Sequence, residues 1–198
     1  MRSATMLAGL ARRLNREAGA PSIPALYLLT DPERTPDPLA VAARLPRGTA
    51  LVYRHFGAPD RARTAGLLAA ICRTRGLFLL IAADPELAQR VGAAGIHWPE
   101  RLLPARREGA GLVTAAAHSR GALARAARFG VDASVLGPVF ATASASGNSP
   151  LGLFRASQLA RTAGVPVIAL GGVSATNAGR LAGRGFAGLA AIDALSGL

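Results

Sequence analysis

Short apolar runs alternate along the chain with longer stretches rich in alanine and arginine, and glycine marks many of the junctions. Strands are expected at Ala25–Thr30, Thr49–Arg54, Leu77–Ala82, Gly95–Trp98, Gly111–Ala115, Ala133–Gly137, Val165–Leu170 and Phe186–Ile192, which makes eight. Helical spacing falls between them at Pro38–Leu45, Asp60–Thr74, Pro85–Val91, Leu102–Arg107, Gly121–Phe129, Leu153–Thr162 and Ser174–Ala182. Several of these helices close on a glycine, as at Arg75-Gly76, Ala94-Gly95, Phe129-Gly130, Ala163-Gly164 and Arg184-Gly185. Glycine there suits the left-handed residue that ends a helix. This rhythm is that of a parallel α/β fold.

Met6, Leu7, Leu10 and Leu14 recur at helical spacing among Arg12, Arg13 and Arg16, so residues 1–20 read as an amphipathic N-terminal helix and not as a signal peptide. Eight strand–helix units point to a compact TIM-type (β/α)8 barrel forming one domain over residues 1–198. Ala194–Leu198 leave room for no eighth helix, or for one turn of it, and the N-terminal helix is expected to help close the barrel. An open doubly wound sheet competes, but no G-x-G-x-x-G follows the first strand. The small and polar run 141–149 would lie over the barrel mouth as a lid.

Composition narrows the chemistry. All 23 basic residues are arginine, so lysine-dependent Schiff-base and P-loop mechanisms are excluded. The net charge of +12 invites a polyanion partner, but the arginines are scattered and aromatics make up only 5%. No nucleic-acid partner is expected on that ground. No apolar run is long enough for a membrane helix, and the single cysteine, Cys72, lies in an apolar stretch as a buried thiol. A cytoplasmic protein, assembled as a homo-oligomer, is the expectation.

In a barrel the chemistry sits at the C-terminal ends of the strands. His55, His97 and His118 all fall at or just after such ends. Three imidazoles could in principle bind a metal, but the strands are not all adjacent and no carboxylate spacing supports a site. For His97 a structural role is the plainer reading, while His118 stands in a polar turn where an acid/base is useful. Ala169-Leu170-Gly171-Gly172-Val173 ends the seventh strand on two glycines. That turn, with the end of the eighth strand at Ala190-Ala191-Ile192-Asp193, either cradles a phosphate or simply requires glycine for its tightness.

The segments Leu26-Tyr27-Leu28-Leu29-Thr30-Asp31, Gly95-Ile96-His97, His118-Ser119, Gly137-Pro138-Val139-Phe140-Ala141-Thr142, Pro150-Leu151-Gly152-Leu153 and Ala169–Val173 together resemble the thiamine-phosphate synthase family. That family includes the TenI-like thiazole tautomerases. The resemblance implies a TIM barrel that binds a thiazole phosphate or thiamine phosphate.

Departures from the synthase pattern are specific. A synthase ends its second strand in Gln-x-Arg-x-Lys, and Val52-Tyr53-Arg54-His55-Phe56 keeps Arg54 alone. The third strand should end in Asn-Asp-Arg with its aspartate on magnesium, where this chain has Ala82-Ala83-Asp84. Leu102 aligns with the second magnesium aspartate, Ala145 with the lid lysine, and Asp193 with a common serine. The resemblance therefore implies a TenI-like tautomerase with His118 as the catalytic acid/base, which needs no metal. Arg54, His97, Thr142 and Ser144 would bind substrate, and Gly171, Gly172, Ile192 and Asp193 would hold its phosphate. The alternatives are a true synthase, which would bring magnesium, and a non-catalytic barrel that binds the phosphate ligand.

Overall fold

The computed structural model describes residues 2–107, 111–142 and 149–196. Its elements are α1 (Arg2–Glu17), β1 (Leu26–Leu29), α2 (Pro38–Ala42), β2 (Ala50–Tyr53), α3 (Arg61–Arg75), β3 (Phe78–Ala82), α4 (Pro85–Val91), β4 (Gly95–Trp98), β5 (Leu112–Ala117), α5 (Arg120–Phe129), β6 (Ala133–Leu136), α6 (Leu153–Thr162), β7 (Val167–Ala169), β8 (Gly188–Ala191) and α7 (Asp193–Ser196). The eight strands are parallel and close in sequence order, β8 returning to β1 with Tyr27 opposite Ala190. This is a (β/α)8 barrel.

Nearly every strand residue is buried, because a parallel barrel covers both faces of its sheet. Alternation then sorts the side chains. Tyr27, Leu29, Val52, Leu80, Val135, Ile168 and Ala190 fill the barrel, while Leu28, Leu51, Leu79, Ile81, Leu136 and Leu189 pack outward under the helices.

The N-terminal helix covers β1 and β8, where an eighth outer helix would lie. Its apolar face buries Leu7, Ala11 and Leu14. The buried Asn15 amide donates to three carbonyls, those of Ala20 (2.7 Å), Ile23 (3.4 Å) and Ala187 (3.2 Å), tying the helix to the entry of β8. That leaves α7 as a single turn. Among the described residues no helix is long and apolar enough to cross a membrane.

Two expected helices shrink to 3₁₀ turns. Over Leu102–Arg107 the turn covers Glu100–Leu102, since Pro104 pushes Leu103 to an extended ψ of 116°. Arg107 then folds back to the Gly111 carbonyl (2.9 Å) and the Asp132 carboxylate (3.0 Å). Over Ser174–Ala182 the turn covers Ala178–Leu181. Asn177 takes the backbone groups that a first helical turn would use, accepting from the Ser174 N–H (2.9 Å) and donating to the Gly172 carbonyl (2.7 Å).

Gly76 and Gly130 end their helices in the left-handed region. The helix expected to close at Gly95 ends instead at Gly92. Gly95 is required by the sheet, because a Cβ there would sit 1.8 Å from the Leu112 carbonyl oxygen.

Candidate active site at the barrel mouth

A cavity of about 470 Å³ opens at the C-terminal ends of the strands. Arg54, His118, Thr142, Gly171, Gly172, Ile192 and Asp193 all line it. Six further wall residues matter to its charge and shape: Asp31, Glu33, Arg34, Gly137, Pro138 and Leu170.

Arg54 leaves β2 with its backbone N–H bonded to the Thr30 hydroxyl (2.9 Å) and its Nε donating to the Thr30 carbonyl (2.8 Å). Asp31 lies 3.9 Å from its Nη2. One edge of the guanidinium is thus tied to the end of β1, which fixes where the group stands at the mouth.

His118 follows β5 and precedes Ser119, whose side chain caps α5 by accepting from the Ala122 N–H (3.2 Å). The imidazole Nδ1 lies 2.7 Å from Oε2 of Glu100, and the His118 backbone N–H donates to that same oxygen at 3.0 Å. Its side chain is 44% exposed, open to solvent and ligand.

The two glycines after β7 have a reason in the packing. Gly171 (φ +95°) and Gly172 (φ +63°) both occupy the left-handed region. A Cβ on Gly171 would stand 2.5 Å from Pro138 Cα, and one on Gly172 would stand 2.2 Å from the Ala141 carbonyl oxygen. The Val139 N–H donates to the Leu170 carbonyl (2.7 Å) and the Phe140 N–H to the Gly171 carbonyl (3.0 Å), so the two loops are joined backbone to backbone. With no side chains there, the peptide groups of 171 and 172 are themselves cavity wall.

Asp193 starts α7 and pairs with Arg34 at 3.2 Å. The carboxylate is 70% exposed, so the bond is a surface pair across the mouth. The wall carries Arg34 and Arg54 against Asp31, Glu33 and Asp193, with no net excess of cations. The +12 of the chain therefore lies elsewhere.

His97 is not brought to the cavity. It is the register partner of Ala82 and Thr114, its side chain faces the barrel interior, and its Nδ1 bonds the Thr114 hydroxyl at 2.9 Å. Burial, with a smaller push from the Arg54 charge, drives its pKa down to about 3, so it stays neutral. His55 is also buried, its ring 5.0 Å from that of Tyr53, and burial lowers its pKa too. Three histidines that share strand ends in the sequence thus part company in space. Ser144 and most of the expected lid lie outside the described residues.

The magnesium that a synthase would use finds no matching donors. At the end of β3, Ala82 and Ala83 offer no side-chain ligand, and the Asp84 carboxylate accepts from the Leu87 N–H (2.9 Å) as the cap of α4. Arg61 fills the adjoining space, donating to the Ala82 carbonyl (2.9 Å) with its Nε 3.7 Å from Asp84 and its guanidinium over the Phe56 ring. Leu102 is 56% exposed and carries no donor. Among the described residues no three His, Cys, Asp or Glu side chains are grouped to hold a metal ion. These residues do not fit magnesium.

Glu100, Arg34 and Asp31 escape a reading of the sequence. Each follows a strand end, which is a usable signal, but charged residues follow many strand ends and only the fold selects those that face the mouth.

Known proteins agree with this architecture. The family model for thiamine monophosphate synthase matches residues 26–195. A thiamine-phosphate synthase from Chlorobium luteolum is 34% identical over 89% of this chain and 87% of its own length. One from Marinobacter nauticus is 36% identical over 88% and 83%. Among solved structures, a thiamine phosphate pyrophosphorylase from Pyrococcus furiosus superposes with a TM-score of 0.73, covering 96% of this chain and 90% of its own, at 23% identity, a likeness of fold. With the matched region running from β1 into α7, the chain belongs to the thiamine monophosphate synthase family.

Proposed function

We propose that this chain is a proton-transfer member of the family, a tautomerase that carries a carboxylated thiazole phosphate to its aromatic form with His118 as acid/base. The observation that carries the reading is that His118 opens on the same cavity as the Gly171–Gly172 turn and Arg54. A ligand whose phosphate rests on the backbone of that turn extends across the mouth toward the imidazole. One ring nitrogen takes a proton from the non-aromatic ring, and the imidazolium returns a proton to the conjugated system, so the ligand leaves with the same atoms and charge. Arg54 and Thr142 face the same space and suit the ligand's carboxylate and polar edge. No step needs a metal or a leaving group.

The second reading is the coupling reaction in the names of the relatives from Chlorobium and Marinobacter. Expelling pyrophosphate demands that several negative charges be neutralised as they develop. Ala83 and Leu102 stand where a synthase would place its two metal carboxylates, and Phe56 where it would place one of its lysines, and that favours the proton transfer.

Purified protein should interconvert the thiazole carboxylate phosphate tautomers well above background, and His118→Ala should slow the reaction by about 100-fold or more, the usual worth of a positioned acid/base. Background rates with the unaltered protein, or full activity in His118→Ala, would overturn the tautomerase reading. Magnesium-dependent coupling by the same preparation would establish the second.

A further inference from the structure

We infer that Glu100 is a positioning residue that locks His118 in a single tautomer, with the proton on Nδ1 and the base on Nε2. The inference rests on His118 being the acid/base of the proposed reaction, but the tautomer itself is a property of the ligand-free protein.

Three contacts carry it. Oε2 of Glu100 lies 2.7 Å from His118 Nδ1, and a carboxylate can only accept, so Nδ1 must be the donor. The same oxygen receives the His118 backbone N–H at 3.0 Å, which fixes the carboxylate against the start of the turn as well as against the ring. Arg125, on α5, donates its Nη2 to the Glu100 carbonyl and brings that nitrogen to 4.0 Å from Oε1. A glutamate on the β4–β5 connection is thus held from two sides by the β5–α5 segment. It is one-quarter exposed where its imidazole partner is nearly half exposed.

The chemical consequence is selective. With Nδ1 occupied as a donor, a neutral His118 has its lone pair on Nε2, and the ring cannot rotate without breaking a charge-assisted bond. When Nε2 takes a proton, the carboxylate faces a full imidazolium and stabilises it, as an orienting acid does in hydrolase triads. Without Glu100 the imidazole is free to turn and to carry its proton on either nitrogen. A fraction of molecules then presents N–H to the ligand in place of a base.

Nitrogen NMR on histidine-labelled, full-length protein tests this directly at about pH 9, where free imidazoles are neutral. His118 should show a protonated Nδ1 and a bare Nε2. Glu100→Ala should move its population toward the Nε2–H form. Glu100→Gln, whose amide oxygen can still accept, should fall between, and Arg125→Ala should produce a smaller move in the same direction. The His55 and His97 signals serve as internal reports of an intact fold. In the tautomerase assay, Glu100→Ala should lower kcat by about 10–100-fold, the usual effect of losing an orienting partner, with KM within about twofold. A His118 tautomer unchanged in Glu100→Ala overturns the positioning role whatever the activity. A tautomer that shifts as expected while turnover is unaltered overturns His118 as the acid/base and leaves the tautomer lock standing.

Discussion

Replacing Gly172 with alanine separates two explanations of the double glycine after β7, and the molecule contains its own control. At Gly172 the backbone φ is +63°, and an added Cβ would stand 2.2 Å from the Ala141 carbonyl oxygen and 2.9 Å from Phe140 Cβ. At Gly92, which ends α4, φ is +64° and a Cβ would meet nothing within 4 Å. Both variants pay the left-handed cost of an L-residue, about 1–2 kcal/mol. Gly172→Ala adds the cost of forcing two joined backbones apart, about 1–3 kcal/mol on the scale of overpacked interiors. The expected totals are about 1–2 kcal/mol for Gly92→Ala and about 2–5 kcal/mol for Gly172→Ala. In a domain of this size each kcal/mol lowers Tm by about 2–4 °C, so urea and thermal unfolding of the two proteins resolve the difference. Equal midpoints would refute the argument: the contact with the β6–α6 loop would then carry no energy, and a ligand's approach would be the reason for glycine.

Further outcomes follow from the same geometry. Asn15→Ala removes three hydrogen bonds to carbonyls at the α1–β8 junction and should cost about 2–4 kcal/mol in urea unfolding, whereas a loss below about 1 kcal/mol would mean that α1 is held by its apolar face alone. His97, neutral inside with its pKa lowered from 6.5 to about 3, binds a proton in the unfolded chain before it does in the folded one. Its contribution to stability is therefore unchanged above about pH 6.5 and falls as pH drops below that toward about 3, so unfolding midpoints in His97→Gln should lose less between neutral and acid pH than in the unaltered protein; parallel losses would contradict the burial argument. Asp193→Asn should change stability by less than about 1 kcal/mol, because the pair with Arg34 is exposed on the aspartate side, while tightening the binding of a thiazole phosphate; weaker binding would show that Asp193 contacts the ligand favourably.

Local chemistry makes much of the architecture legible in the sequence. Apolar strand runs, helical spacing and the glycines at 76 and 130 act over a few residues, and they place eight strands and most helices within a turn of where they lie. The helices misjudged over 102–107 and 174–182 failed where side chains compete for backbone groups. Asn177 and Arg107 find their partners in a turn or across a loop, and helical spacing carries no trace of that.

The site divides in the same way. His118 and the glycines after β7 stand out as residue types at strand ends, while Arg54 and the missing lysines and metal carboxylates are legible only when the chain is set against the synthase pattern it resembles. Closure of the barrel decides the rest. It turns His97 inward to Thr114 while leaving His118 open, because side-chain parity on a twisted, closed sheet depends on register with neighbours far away in sequence. It also sets Glu100 against His118 and Arg34 against Asp193, pairs 18 and 159 residues apart, since strand ends that are remote along the chain share one mouth when the sheet closes.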